Sequence, residues 1–335
     1  MERHGTRDGD ARLVELACGG DEAAFAALTE RHRRELQVHC YRMLGSFDES
    51  QDVVQETFLR AWRRRETYQG RSTFRAWLYR IATNACLDEL RRRPRSRQVA
   101  GDHAGEVPWL QPFPDRLLDE VADADEGPDA VVIARETVEL AFLAAIQHLA
   151  PRPRAVLILR DVLGWPAADT ASALDMTVDA ANSALKRARA SLGGHLPRHR
   201  SQWRPAADAS AEERAVLQRY LAATAASDMA ALAALLAEDA RQTMPPEPTA
   251  FVGRDAVLAA WSSIAEGDTS WGEWHARPTG VNRQPAVANY LRRPGQARFH
   301  AFNLDALRIE GGLIVEVTTF APSTFPGLGL PATLS

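Results

Sequence analysis

From Ala11 to Arg93 the apolar positions recur every three or four residues and no proline intervenes, which predicts a domain made only of helices. Pro94 ends the last of them. Residues 94–129 lose this period and mix arginine, glycine, proline and acid around Pro108-Trp109-Leu110-Gln111-Pro112-Phe113-Pro114, as expected of a linker carrying an aromatic–proline knot. Helical spacing returns at Val131, with turn signals at Pro151-Arg152-Pro153 and Gly164-Trp165-Pro166, and stops at Gly193-Gly194. His195–Ser210 reads as a second linker. From Ala211 the texture changes. Two amphipathic helices at about 211–226 and 228–237 and a third at Arg254–Ile264 precede alternating runs at Ala286–Arg292, Arg298–Ile309 and Leu313–Phe320. Gly-Asp, Pro-Gly and Gly-Gly turns separate these stretches and predict an antiparallel meander, hence an α+β domain.

Three helical stretches carry chemistry. Ser46 and Glu49 have capping-box spacing. Beyond them Val53, Val54, Thr57, Phe58, Ala61 and Trp62 share the face that should enter the core. Asp52, Gln55, Glu56 and Leu59 fall opposite, and an apolar Leu59 among polar residues suits a partner. The helix from Thr73 to Arg93 is aromatic at one end and basic at the other. Rings that stack on bases, guanidinium groups that hold phosphate and an Asn that reads a base edge are what single-stranded DNA requires. Trp77 fits core packing better than stacking. From about 167 to 186 runs a helix-turn-helix pattern. Ala171 and Leu174 point inward, Asp175-Met176 turns, and Thr177 caps a helix with a stripe of Val178, Ala181, Leu185, Ala188 and Leu192. Asp179, Asn182, Ser183, Lys186, Arg187 and Arg189 face outward, the composition of a helix in a major groove. Asn182 suits adenine, and Lys186 or Arg187 suits guanine or phosphate.

Asp52-x-x-Gln55-Glu56-x-Phe58-Leu59-x-x-Trp62, then FRAWLYRIATNACLDELRRR from Phe74, then a helix-turn-helix from Trp165 to about Leu192, resemble in this order regions 2 and 4 of an extracytoplasmic-function (ECF) sigma factor of the sigma-70 family. The resemblance covers roughly residues 10–195. It implies two all-α domains, region 2 at 11–94 and region 4 at 131–194, with a flexible linker at 95–130 between them. A linker at 195–210 would then lead to residues 211–325, which resemble the SnoaL-like polyketide-cyclase fold, a cone-shaped barrel with helices over its mouth.

The implied function is that of a promoter-specificity subunit without catalytic residues or cofactor. Its expected partners are core RNA polymerase, through the largest-subunit clamp and the β flap, and promoter DNA. Core binding is carried to Asp52, Val53, Val54, Gln55, Glu56 and Leu59, with Asp52 and Gln55 foremost. Minus-10 recognition is carried to Tyr68, Arg71 and Asn84, with Arg91 and Arg92 toward phosphate. Minus-35 recognition is carried to Thr177, Asp179, Asn182, Ser183, Lys186, Arg187 and Arg189. Sigma factors of this group commonly have basic residues where Asn182 and Ala184 stand here, so a weaker independent hold on the minus-35 element is expected. The attached C-terminal domain is expected to take part in regulation. The competing class is a small-molecule cyclase or isomerase carrying a DNA-binding arm.

Composition alters this picture little. The net charge of −4 over 335 residues hides strong asymmetry, with a basic run at Arg91, Arg92, Arg93, Arg95 and Arg97 and an acidic stretch from Asp115 to Asp129. Cys18, Cys40 and Cys86 are odd in number and lack metal-binding spacing, so free thiols are expected. No apolar run approaches membrane-spanning length and the first ten residues are too polar for a signal peptide, so a cytoplasmic protein without a membrane partner is expected. In the C-terminal domain Trp261, Trp271, Trp274, His275, Tyr290, His300, Phe302, Asp305 and Phe320 are candidates to line a pocket for a small ligand. Strand parity sets His300 and Phe302 opposite Asn303 and Asp305.

Overall fold

The computed structural model describes residues 5–70, 72–93, 107–122, 138–195, 211–265 and 272–335. The chain divides into two compact units. The first, residues 1–98, 117–125 and 146–195, is helical throughout its described residues. Helices α1 (Gly5–Cys18), α2 (Glu22–Leu44), α3 (Phe47–Arg63) and α4 (Phe74–Arg92) form its N-terminal part. Each of the last three begins at a side chain that accepts a free first-turn N–H: Asp21 from Ala24, Ser46 from Glu49 and Thr73 from Ala76. Gly45, at φ 72°, turns the chain out of α2 through a left-handed residue that a Cβ would disfavour. Leu36, Met43, Val54, Ala61, Leu78 and Ala82 fill the space between the helices. Cys40 and Cys86 are buried there as free thiols.

Helix α5 (Asp115–Ala122) occupies part of the stretch expected as a flexible linker, and α6 (Leu140–Gln147) follows it in sequence. Then come α7 (Pro151–Leu157), which runs into a π turn at Ile158–Val162, α8 (Ala167–Ala173) and α9 (Val178–His195). Asp175, at φ 49°, makes the turn between α8 and α9, and Thr177 Oγ1 caps α9 by accepting from Ala180 N at 3.1 Å. Ala181, Leu185, Ala188 and Leu192 are buried as the spacing requires. Val178 is not. It is the first residue of α9 and is 42% exposed.

The second unit, residues 99–116, 126–145 and 196–335, contains the C-terminal domain. Helices α10 (Ala211–Ala226), α11 (Met229–Leu235) and α12 (Arg254–Ala265) pack on a curled sheet. Its strands are β1 (Leu236–Met244), β2 (Glu247–Val252), β3 (Glu273–Val281), β4 (Gln284–Arg292), β5 (Phe299–Glu310), β6 (Leu313–Phe320) and the short β7 (Thr333–Leu334), with a one-turn helix α13 (Phe325–Leu328) before β7. The order is β2-β1-β6-β5-β4-β3, with β7 beside β5. The expected meander is present from β4 to β6, and β3, which was not expected, extends it antiparallel to β4. The sheet as a whole is mixed, however, since β1 pairs with β6 in parallel. Val216, Leu232, Leu235, Val257, Val287 and Leu307 form the core between helices and sheet. The helix expected to stop at Gly193-Gly194 runs on to His195, the first residue of the linker expected at 195–210; the rest of that linker, 196–210, lies outside the described residues, within which no helix is long and apolar enough to cross a membrane.

Candidate nucleic-acid interface and C-terminal cavity

On α3 the two faces separate cleanly. Val53 and Val54 are buried, which corrects their inclusion among polymerase contacts: their side chains are spent on the helical core. Asp52 and Gln55 are exposed, and Leu59 is 51% exposed beside them. Glu56 is half-buried and ion-paired with Arg60 at 2.7 Å, and Arg60 reaches on to Asp88 of α4 at 2.6 Å. This clamp holds α3 against α4, so Glu56 contributes first to the position of the face and only secondarily to its charge.

Tyr68 lies half-buried on the aromatic end of α4, 5.7 Å from Phe74 and 5.5 Å from Trp77 between ring centres, and donates to Ser72 O at 2.7 Å. Burial raises its pKa, so it remains a neutral phenol. Arg71 lies outside the described residues. Arg91 and Arg92 are exposed, with Arg91 bonded to Asp88 and Arg92 3.7 Å from Glu89. Arg93, which sequence reasoning grouped with them, is instead turned inward, paired with Glu49 and donating to Leu44 O at 2.9 Å.

Asn84 is half-buried, and its Nδ2 reaches Ala173 O of α8 at 3.5 Å. Arg80 stands 3.5 Å from Asp175 in the turn between α8 and α9, and the rings of Tyr79 and Trp165 lie 6.0 Å apart. The helix that carries the candidate base reader therefore packs on the helix-turn-helix. A buried guanidinium completes the joint. Arg154 of α7 donates to Met43 O of α2 at 2.5 Å, to Gln147 Oε1 at 2.6 Å, and to the carbonyls of Gln147 and Leu149 at 2.9 Å each. Nothing in its sequence context distinguishes Arg154 from the surface arginines.

On α9, Thr177, Asp179, Asn182, Ser183, Lys186 and Arg187 are all exposed. Arg189 is exposed too, but forms a two-pronged pair with Asp161 at 2.7 and 2.8 Å. Ala184 is buried, so no basic side chain fits there without disturbing the core, and the departure from the family pattern at that position is a packing residue.

In the second unit the turn joining β3 to β4 grips the segment expected as linker. Asn282 and Arg283 have φ of 56° and 60°, the left-handed pair of a tight hairpin turn. Asn282 Oδ1 accepts from Phe113 N at 2.8 Å, its backbone N donates to Phe113 O at 2.9 Å, and its Nδ2 donates to Val138 O at 2.6 Å. Arg283 N donates to Asp115 Oδ1 at 2.8 Å, and Leu140 N to Gln284 Oε1 at 3.1 Å. The aromatic–proline knot is thus docked on the hairpin through Phe113, which is itself buried.

A cavity of about 460 Å³ lies between the helices and the sheet of this unit. Of the expected lining residues, Trp261, Trp274, Phe302, Asp305 and Phe320 face it. Trp271 is outside the described residues. His275 and His300 are exposed and do not line the cavity, so neither is placed to share a proton with Asp305. Tyr290 is buried elsewhere, against Phe325, with its hydroxyl on Pro331 O at 3.0 Å. Phe302 enters the cavity together with Asn303 and Asp305 because the β4–β5 register slips between Asn289 and Tyr290. Such an extra residue breaks the strict alternation of faces. Asp305 accepts from Asn289 at 2.7 Å, Thr319 at 2.7 Å, Tyr220 at 3.2 Å and Asn303 at 3.3 Å. Burial raises its pKa, against the pull of the Thr319, Tyr220 and Asn289 hydrogen bonds. Sequence reasoning missed Asn289 and Tyr220, for which no local motif exists.

Three family models match the chain: "Sigma-70 region 2" at residues 28–96, "Sigma-70, region 4" at 139–192 and "SnoaL-like domain" at 217–317. The ECF RNA polymerase sigma factor SigG of Mycobacterium tuberculosis is 41% identical over 323 residues, covering 92% of this chain and 85% of that protein. The ECF RNA polymerase sigma factor SigE of Mycolicibacterium smegmatis is 31% identical over 187 residues, 55% of this chain and 66% of its own length. Among solved structures, the Mycobacterium tuberculosis ECF sigma factor SigJ superimposes with a TM-score of 0.61 at 22% identity, covering 92% of this chain and 99% of that one, a likeness of fold.

Proposed function

This chain belongs to the extracytoplasmic-function sigma factors of the sigma-70 family, and from that premise we propose how its parts divide the work. Sigma factors bind core RNA polymerase and promoter DNA. Residues 11–94 act as region 2 and 131–194 as region 4, joined through 95–130; a second connection at 195–210 leads to the SnoaL-like domain at 211–325. Asp52, Gln55 and Leu59 on the open face of α3 dock on the polymerase clamp, while region 4 engages the β flap. Tyr68, Arg71 and Asn84 read the melted minus-10 element, with Arg91 and Arg92 on phosphate. Thr177, Asp179, Asn182, Ser183, Lys186, Arg187 and Arg189 meet the minus-35 duplex. The protein acts in the cytoplasm. The observation that carries this reading is the outward face of α9, polar and basic along its length, on the same unit as the open face of α3.

Duplex reading and base reading are separable by experiment. Asn84→Ala is expected to slow open-complex formation and leave initial duplex binding intact, because a flipped base exists only after melting. Lys186→Ala with Arg187→Ala is expected to weaken duplex binding and flatten its salt dependence by roughly one unit per lost phosphate contact. Indistinguishable defects from the two variants would defeat this division.

The C-terminal domain serves as a regulator and not as an enzyme. The grip of Asn282 on Phe113 and Val138 favours this second reading, since Phe113 lies in the segment joining regions 2 and 4 and Val138 at the start of region 4. Promoter elements about 25 base pairs apart are separated by roughly 85 Å, so regions 2 and 4 must part company on DNA. Within the first unit they are packed together through Asn84, Arg80 and Arg154. A domain that holds the connecting segment biases that opening.

A further inference from the structure

The polar floor of the C-terminal cavity is a hydrogen-bonded network built around Asp305, and it leaves Asn289 Oδ1 open; on the wall beside it the Thr224 hydroxyl is also buried without a partner among the described residues. Trp261 Nε1 donates to Gln242 Oε1 at 2.9 Å, Gln242 Nε2 to Thr319 Oγ1 at 2.9 Å, and Thr319 to Asp305. With Tyr220, Asn289 and Asn303 also donating, Asp305 receives four hydrogen bonds, which fills the acceptor sites of a carboxylate. Asn289 spends both amide hydrogens, one on Asp305 and one on Asn303 Oδ1 at 2.8 Å. Turning that amide over would set its oxygen against the carboxylate, so the orientation is fixed. Its Oδ1 is then left buried, with no donor among the described residues, on a side chain only 4% exposed that lines the cavity. A buried acceptor without a partner is costly, and native structures seldom leave one without a reason.

The remaining walls are apolar and aromatic, supplied chiefly by Met229, Leu232, Met244, Trp261, Trp274 and Phe302. Trp274 and Phe302 meet edge to face at 5.0 Å. Among the described residues no Lys, Arg or His lines the cavity, whereas Asp305 and Glu247 do, so an anionic ligand would meet like charge there. The volume is that of a small-molecule site.

We propose that this cavity binds an uncharged, flat, largely apolar molecule carrying a hydroxyl or N–H group, which donates its hydrogen bond to Asn289 Oδ1. Asp305 is a positioning residue: its carboxylate holds the Asn289 amide so that the oxygen faces the ligand. Because its own acceptor sites are taken, the site is built for binding and not for proton abstraction. Binding is independent of what the domain does to transcription, so its failure would leave the regulatory reading standing, and the converse also holds.

The test is calorimetric titration of the full chain with three probes of one shape: 2-naphthol, 2-methoxynaphthalene and 2-naphthoate. The donor-bearing naphthol is expected to bind about tenfold or more tightly than the methyl ether, the cost of leaving one buried acceptor unpaired. The carboxylate is expected not to bind. Asn289→Leu should erase the difference between naphthol and ether. Leu232→Trp, which fills the cavity from α11 without touching the polar network, should abolish binding of both, and it serves if the Asn289 variant fails to fold. Equal binding of naphthol and ether, preference for naphthoate, or no binding of any probe at millimolar concentration would each overturn the proposal.

Discussion

Arg154 is the residue whose loss should matter most to the first unit, and the size of the effect follows from its surroundings. Burial, with Arg93 nearby, lowers its pKa to about 9, so it is still charged at neutral pH. Substitution to Met keeps much of the volume and removes all four donated hydrogen bonds. Two effects then oppose each other. Removing a buried cation that no carboxylate among the described residues neutralises recovers desolvation energy, which is why some buried charges are replaced by apolar residues at little cost. Three of the four acceptors, however, are main-chain carbonyls of Met43, Gln147 and Leu149, which no substitution can delete. Each orphaned buried carbonyl costs about 1–3 kcal/mol. The carbonyls win, with a net loss of about 3 kcal/mol, at the low end of what breaking a buried charged contact costs. Hydrogen exchange resolved by peptide is the suitable assay, because a chain of two units need not unfold in one step. Protection at the end of α2 and across α7 should fall on the order of 100-fold, with Arg154→Lys intermediate. Unchanged protection in the Met variant would refute the assignment of Arg154 as the joint between regions 2 and 4.

Region 2 should also weaken in mild acid. His39 is fully buried, with Nε2 2.9 Å from Thr83 Oγ1, and burial lowers its pKa to about 3. The unfolded chain, near the ordinary value of about 6.5, binds the proton first, so stability is full above that pH and falls as pH drops toward 3. Circular-dichroism melts between pH 6.5 and 4.5 should show a loss approaching 1.4 kcal/mol per pH unit that is absent in His39→Gln; parallel pH profiles would contradict the assignment. Asn282→Gly keeps the left-handed turn available while removing the side-chain bonds to Phe113 and Val138. It should raise hydrogen exchange at residues 107–116 about tenfold or more, the effect of losing contacts worth at least 1.4 kcal/mol. It should also change promoter output several-fold without altering core affinity; no change in either would remove support for the regulatory role.

The helical half was legible because its signals are local. Ser46 and Thr73 occur where an uncapped N–H needs an acceptor, and the spacing of Val53, Val54, Thr57 and Ala61 allows only one buried face. The α9 stripe failed only at Val178, the first residue of the helix, which shares the period of the buried positions but is exposed. In the C-terminal domain β1 was missed because it continues from α11 at Leu236 without a turn residue, and β3 because Pro278 and Gly280 interrupt its alternation. Phe302 joined the cavity against its parity because one extra residue in a strand is invisible without the partner strand. Arg154, Asn282 and Asn289 gave no signal at all. Their roles depend on backbone or side-chain groups far away in sequence, and an isolated Arg or Asn carries no mark of what it will meet.

Reconstitution with core RNA polymerase shows whether α3 carries the polymerase contact. Core enzyme is mixed with the intact chain or with Asp52→Ala/Gln55→Ala, transcription is run on genomic fragments, and start sites are mapped. The intact chain is expected to direct starts at sites sharing two separated elements. The double variant, which loses only exposed side chains and keeps its helicity, is expected neither to copurify with core nor to direct those starts. Undiminished copurification and identical start sites from the double variant would contradict the placement of the polymerase contact on α3.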